Sequence, residues 1–280
     1  MAPYLSIIIP TLNEENYLPF LLDDLNKQKN KDFEVIIVDS SPNEKTKNSA
    51  YNKAREYHFS YHRSDRQNVG YQKNKGSKQA QGEYLVFLDA DSRVDTGFTH
   101  SLSRTVKDYP GLAYRPYTIP DDKEYLEMET LFSIWNLVVE LSFLTSSPLG
   151  DGGCLIFEKG FFTRLGGFKE KVMPEDYEIM QRCVKWGVRP RFVADVNVIM
   201  SLRRIRRENK LKLLYNHTLN TFKTLFQLEI KTGTVRYDMG GGVTQEAHLS
   251  KNKLEALKIL LSKDYLKSLQ TIIRKMGENT

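Results

Sequence analysis

Tyr84-Leu85-Val86-Phe87-Leu88-Asp89-Ala90-Asp91 decides the fold. A short, unbroken apolar run reads as a strand covered on both faces, as in a parallel sheet. Here it runs straight into two carboxylates that bracket an alanine. Such a pair can hold one hard divalent cation, and the cation can bridge a diphosphate. The same grammar repeats upstream. Leu5–Ile9 is a buried strand closed by Pro10, and Phe33–Val38 is a second, ended by the turn residues Asp39-Ser40-Ser41-Pro42. Residues Tyr57 to Tyr61 offer a third strand. Between the strands lie helical patterns. Asn13 caps a helix with Leu18, Leu21, Leu22 and Leu25 on one face. Thr46 to Tyr57 forms the next, and Gly70 to Gln81 a polar one stopped by Gly82. This β-α-β alternation predicts an α/β fold, a mostly parallel sheet with helices on both faces. In such sheets ligands bind at the carboxyl ends of the strands. Thr11, Glu14, Asp39, Asp89 and Asp91 all fall there.

Downstream the pattern changes. Glu129 to Thr145 reads as a helix of mixed apolar character. Gly150-Asp151-Gly152-Gly153 leads into a strand over Cys154–Phe157. Pro174 opens a helix through Trp186, with Glu175 and Asp176 in the first turn, where the helix dipole stabilises acids. Phe192–Ile199 is a further strand. Arg203, Arg204, Arg206 and Arg207 then begin a basic region with amphipathic, lysine-rich helices, interrupted by Gly240-Gly241-Gly242.

Composition narrows the function classes. Hydrophobic residues are 40% and aromatics 11% of 280 residues, enough for a real core. Lys and Arg number 41 against 35 acids, a net charge of +6, which favours anionic partners. Two cysteines, Cys154 and Cys183, exclude a disulfide scaffold and a zinc module. The first ten residues lack the basic n-region of a signal peptide. The longest apolar candidate, Leu131 to Leu149, is broken by Asn136 and Glu140, so no membrane span is expected. The expected location is cytoplasmic, with any membrane contact peripheral, on the cytoplasmic membrane face. No nucleic-acid motif or aromatic stacking platform is present, and no nucleic-acid partner is expected.

Five segments in order, IIIPTLNEENYL, FEVIIVDSSP, NVGYQKNKGSKQAQGEYLVFLDADS, GGCLIFEKGFFTRLGGFKE and PEDYEIMQR, resemble family 2 glycosyltransferases of the GT-A fold. The resemblance covers about Leu5 to Arg207. It implies a Rossmann-like GT-A catalytic domain over residues 1–200, its nucleotide-binding half about 1–95 and its acceptor-binding half about 96–200, with 201–280 as a basic amphipathic helical extension. It further implies a nucleotide-diphosphate-sugar donor, inversion at the anomeric carbon, and Mg²⁺ or Mn²⁺ as cofactor. Pro10, Thr11 and Glu14 then line the nucleoside pocket, and Asp39 reads the base. The usual VDDGS is VDSSP here, so the second acid is absent. Lys73, Asn74 and Gly76 match an Arg-Asn-x-Gly pattern, with lysine supplying the charge towards the phosphates. Asp89, Ala90 and Asp91 match the donor- and metal-binding motif.

Glu175 and Asp176 match the family's acidic pair, with Asp176 the general base that takes the acceptor proton and Glu175 beside the acceptor. With a phosphate acceptor no strong base is needed, and Asp176 would orient it. Asp151 and Gly152 fall where the family builds the acceptor and sugar wall; a plain tight turn is the alternative. Arg203 and Arg204 stand in for an absent cationic motif that grips the leaving diphosphate; a solvated basic face is the alternative. His248 is a candidate late metal ligand. The resemblance is compatible with a glycan or a polyprenyl-linked acceptor. Two rivals stay open. A sugar-phosphate nucleotidyltransferase shares the architecture, but its glycine-rich first loop and early arginine are missing. A non-catalytic GT-A-like protein would bind lipid or another anionic partner through the basic helices.

Overall fold

The computed structural model describes residues 2–54, 57–121, 126–143, 148–150, 153–172 and 174–201. In chain order the elements are β1 (Leu5–Thr11), α1 (Leu18–Asn26), β2 (Phe33–Asp39), α2 (Lys45–Lys53), β3 (His58–Arg63), α3 (Val69–Gln79), β4 (Tyr84–Leu88) and β5 (Arg93–Val94). There follow α4 (Phe98–Asp108), β6 (Ala113–Pro120), α5 (Leu126–Ser142), β7 (Cys154–Glu158), α6 (Lys159–Leu165), α7 (Glu175–Lys185) and β8 (Arg191–Met200).

The strands form one eight-stranded sheet in the order β3-β2-β1-β4-β7-β6-β8-β5. β1 to β4 pair in parallel, β6 pairs in parallel with β8, and β7 runs antiparallel between β4 and β6. The carboxyl ends of β1, β2, β3 and β4 therefore share an edge with the start of β7. The apolar strands are continuous because both faces are covered. Ile7, Ile9, Val35, Ile37, Val86 and Leu88 pack with the leucines of α1 and with Phe98, Leu102 and Val106 of α4. The alternate residues Ile8, Ile36, Val38, Leu85 and Phe87 pack with Phe161, Phe162, Ile179 and Met180 from α6 and α7.

Three local expectations change. Asn13 does not cap α1: its φ is 55°, its N–H donates to Ser41 Oγ at 2.7 Å, and the helix starts at Leu18 with Pro19 in its first turn. α3 is capped by Asn68, whose side chain accepts from Tyr71 N at 2.8 Å, and it ends at Gln79. Gly82 is needed for close approach instead of for stopping the helix, since a Cβ there would lie 2.8 Å from the backbone of β1. The strand expected at Cys154 is present and runs antiparallel to both its neighbours, in a sheet expected to be mostly parallel.

Candidate active site

The site is built at the shared strand edge. β4 delivers Asp89 there, where its N–H reaches Gly153 O at 3.5 Å and its carbonyl accepts from Ser92 N at 3.1 Å. The turn tethers the acidic motif to the start of β7. Ala90 is buried and Asp89 is half-buried. Glu175 and Asp176 open α7 and are both buried, each 5% exposed. Lys73 reaches them from α3. Its Nζ donates to Glu175 Oε1 at 2.9 Å and to Asp176 Oδ1 at 2.8 Å. The sequence separation is 102 and 103 residues, so only the fold brings them together.

The electrostatics follow from this crowding. Burial pushes the Asp89 carboxyl well above the usual carboxylate range; Lys73 opposes this, and Asp91, Asp176 and Glu175 push it further. Burial works against the Lys73 ammonium, but Asp176, Glu175 and Asp89 outweigh it and keep the charge. Four acids and the Lys73 ammonium thus crowd together at this edge. Of these acids, Asp89 and Asp91 bracket one residue, and paired carboxylates are hard oxygen donors that suit Mg²⁺ or Mn²⁺. Among the described residues no three His, Cys, Asp or Glu side chains form a closed metal cage. Asp89 and Asp91 are the residues at this edge that could contribute to holding such a cation.

A second cluster sits across the ends of β1, β2 and β3, where Thr11, Asp39 and Arg63 are neighbours in register. Asp39 is fully enclosed. Its Oδ1 accepts from Thr11 Oγ1 at 2.9 Å, Ser41 N at 3.0 Å and Ser41 Oγ at 2.5 Å. Its Oδ2 accepts from Tyr61 Oη at 2.5 Å and Arg63 Nη1 at 3.5 Å. Gln72 Nε2 donates to Thr11 O at 2.8 Å and Val38 O at 2.7 Å, stapling α3 to the strand ends.

The expected site residues thus fall into groups. Asp89, Glu175 and Asp176 converge on Lys73, with Asp91 acting on Asp89. Thr11 and Asp39 form the neighbouring cluster beside buried Pro10. Glu14 is half-buried before α1, and its N–H donates to Thr46 Oγ1 at 3.2 Å. The Asn74 amide is engaged by protein: it donates to Phe168 O and accepts from Phe168 N, each at 2.8 Å. Asp151, Gly152, Arg203, Arg204, His248 and the basic helices lie outside the described residues. Sequence reasoning missed Gln72, Tyr61 and Arg63. Their signal was position: Gln72 precedes Lys73, and Tyr61 and Arg63 lie at or just past the carboxyl end of the expected third strand.

Residues 6–165 match the family described as Glycosyl transferase family 2, more than half of the chain, and the chain belongs to that family. A 4,4'-diaponeurosporenoate glycosyltransferase of Staphylococcus haemolyticus is 30% identical over 152 residues, 51% of this chain and 40% of the relative. A GalNAc(5)-diNAcBac-PP-undecaprenol beta-1,3-glucosyltransferase of Campylobacter jejuni is 30% identical over 103 residues, 36% of this chain and 33% of the relative. The matches thus span well under half the length of these curated relatives. Among solved structures, the mannosyltransferase PcManGT from Pyrobaculum calidifontis, in complex with GDP-Man and Mn²⁺, superposes with a TM-score of 0.62 at 21% identity. That match covers 81% of this chain and 69% of the mannosyltransferase and shows a shared GT-A fold.

Proposed function

We propose that the chain is an inverting glycosyltransferase that moves a sugar from a nucleotide-diphosphate donor to a hydroxyl or lipid-phosphate acceptor. The observation that carries this is the convergence of Asp89 and the Glu175–Asp176 pair at the ligand-binding edge of the sheet, in a member of this family. Thr11 and Asp39, with Pro10 and Glu14 beside them, form the nucleoside end, and Asp89 and Asp91 the diphosphate end. A divalent cation bound to these two aspartates supplies charge neutralisation for the departing diphosphate.

In the transfer step, an acceptor hydroxyl gives its proton to the Asp176 carboxylate. The oxygen's electron pair forms the new bond to the anomeric carbon. The bond from that carbon to the diphosphate oxygen breaks, and the nucleoside diphosphate leaves with the electron pair. One displacement inverts the anomeric configuration. With a phosphate acceptor Asp176 takes no proton and orients the nucleophile. A lipid-linked acceptor is favoured by the +6 net charge and by the undecaprenol-linked substrate in the name of one relative. Among the described residues no helix is long and apolar enough to cross a membrane. In this reading the protein works in the cytoplasm, with contact through the extension at 201–280 peripheral. Residues 1–200 form the catalytic unit in this reading.

Calorimetric titration with UDP and with GDP, each with and without Mn²⁺, tests the donor site. One nucleotide should bind in a metal-dependent manner, and Asp91→Asn should abolish that dependence while leaving the melting temperature within about 2 °C. Unchanged Mn²⁺ dependence in Asp91→Asn would remove the metal assignment. Release of nucleoside diphosphate from the matching sugars supports transfer; release of pyrophosphate would point to a nucleotidyltransferase.

A further inference from the structure

The buried cation of α3 carries an inference that rests on the glycosyltransfer reading and refines it. Lys73 is 3% exposed in its side chain, and two of its three N–H donors are committed to Glu175 and Asp176. The Phe168 ring covers it, with the ring centroid 5.0 Å from Nζ. Phe168 is itself pinned through both backbone groups by Asn74, the next residue of α3. To reach a donor diphosphate, the ammonium would have to abandon two buried carboxylates, and breaking a buried ion pair from one side is strongly unfavourable. The start of α7 is also crowded by the backbone at Gly150. A Cβ on Gly150 would lie 2.3 Å from Asp176 O, so that loop presses directly on the helix entrance. A compact ammonium fits between these walls, whereas the planar fork of an arginine needs more room.

We propose that Lys73 is a positioning residue for glycosyl transfer: a fixed internal counter-ion that sets the orientation of the Asp176 carboxylate, and not a ligand of the donor phosphates. The two roles predict opposite kinetics. Lys73→Met in the full chain is titrated with UDP and GDP plus Mn²⁺, and assayed for nucleoside diphosphate release from UDP- and GDP-sugars between about pH 5 and about pH 9. Positioning predicts nucleotide Kd within about threefold of wild type, kcat at saturating donor lower by about a hundredfold, and a displaced kcat–pH profile. Adding Lys73→Met to Asp176→Asn should change kcat by less than about threefold, because the two act as one unit. A nucleotide Kd weakened by about tenfold with kcat retained, or losses that multiply in the double variant, would overturn the assignment.

If Lys73→Met lacks a cooperative thermal transition, Lys73→Arg decides the question. Positioning predicts lower kcat at unchanged nucleotide affinity; full kcat with equal or tighter nucleotide binding would overturn it. Wild-type protein that binds nucleotide but releases no nucleoside diphosphate overturns the transfer reading by itself. The calorimetric comparison of Lys73→Met still reports, separately, whether Lys73 contacts the donor.

Discussion

Asp39 shows how a single residue is shaped by its neighbours. Its two oxygens receive hydrogen bonds from Thr11, Ser41, Tyr61 and Arg63, drawn from two neighbouring strands and one turn. A carboxylate with this many donors is stable when buried; with one removed it is left short. Burial, followed by the bond to Asp39, pushes the Tyr61 phenol well above its ordinary range, so Tyr61 stays a donor at all working pH values. Tyr61→Phe should destabilise the protein by about 1.5–3 kcal/mol, because Arg63 at 3.5 Å is then the nearest remaining partner of Oδ2. Urea unfolding monitored by circular dichroism measures this, and a change below about 0.5 kcal/mol would show that Arg63 or water replaces the phenol. The same cluster explains why the family's second acid can be absent. Ser40 stands in that position, is buried, and donates to Thr11 O at 3.3 Å. An ionised carboxylate has no proton to donate there. Ser40→Asp should therefore cost about 2 kcal/mol or more in the same unfolding assay.

Among the elements, α3 organises the site. Gln72 fastens it to β1 and β2, Lys73 to α7, and Asn74 to the turn at Phe168. Gly76 seats it on the sheet: a Cβ there would meet Ile8 Cγ2 at 2.4 Å and Val38 Cγ2 at 3.2 Å. Both neighbours are β-branched and buried, so neither can swing aside. Gly76→Ala gains about 1 kcal/mol of helix propensity but should lose about 1–3 kcal/mol to overpacking, for a net loss of stability. Because the helix must lift, nucleotide affinity should fall as well; a stabilised variant with native affinity would contradict the packing argument. These contacts also mark where the sequence stops being informative. The runs at β1, β2 and β4 are legible because two covered faces leave a continuous apolar signature. α4 was not legible: only Phe98, Leu102 and Val106 carry its apolar face, and buried Thr99 and Ser103 fill the rest. β6 was hidden by Pro116, Pro120 and buried Arg115, which normally argue against a strand. Its register shifts beside Pro116, which shows how the proline is accommodated. The acids at strand ends were readable as a site, since each followed an apolar run. Their meeting with Lys73 was not, because periodicity carries no information about contacts between distant elements or about the antiparallel direction of β7.

For the whole molecule, the N-terminal half, with β1 to β4, and the half that follows β5 share one sheet among the described residues. β4 pairs with β7 from Tyr84↔Glu158 to Leu88↔Cys154. The turn between α6 and α7 supplies a second bond between the halves. Arg66 pairs with Glu170 at 3.1 Å, Asn68 donates to Glu170 O at 2.8 Å, and Asn74 holds Phe168. From the other side Arg182 donates to Leu165 O, and to Gly167 O at 2.7 Å. Halves joined this closely should unfold in one cooperative step. Glu178 controls the Arg182 side of this joint, pairing with Arg182 at 2.7 Å and Lys169 at 2.8 Å. Burial pushes its carboxyl up, but the hydrogen bonds from Lys169 and Arg182 outweigh it and hold it below the ordinary 4.5. A carboxyl lowered in the folded state contributes stability that is complete above its unfolded value and lost as pH falls through its folded value. The contribution is therefore intact at neutral pH and disappears below 4.5. Glu178→Gln keeps the shape and removes the charge. It should lower stability by about 1–2 kcal/mol at neutral pH and converge with wild type in acid, where both side chains are neutral. Calorimetric melting from about pH 7 to about pH 3 reads this as two curves that close on each other. Curves that stay parallel would mean that the joint is held by the Arg182 carbonyl contacts alone. A second transition in either protein would mean that the two halves unfold separately despite their common sheet.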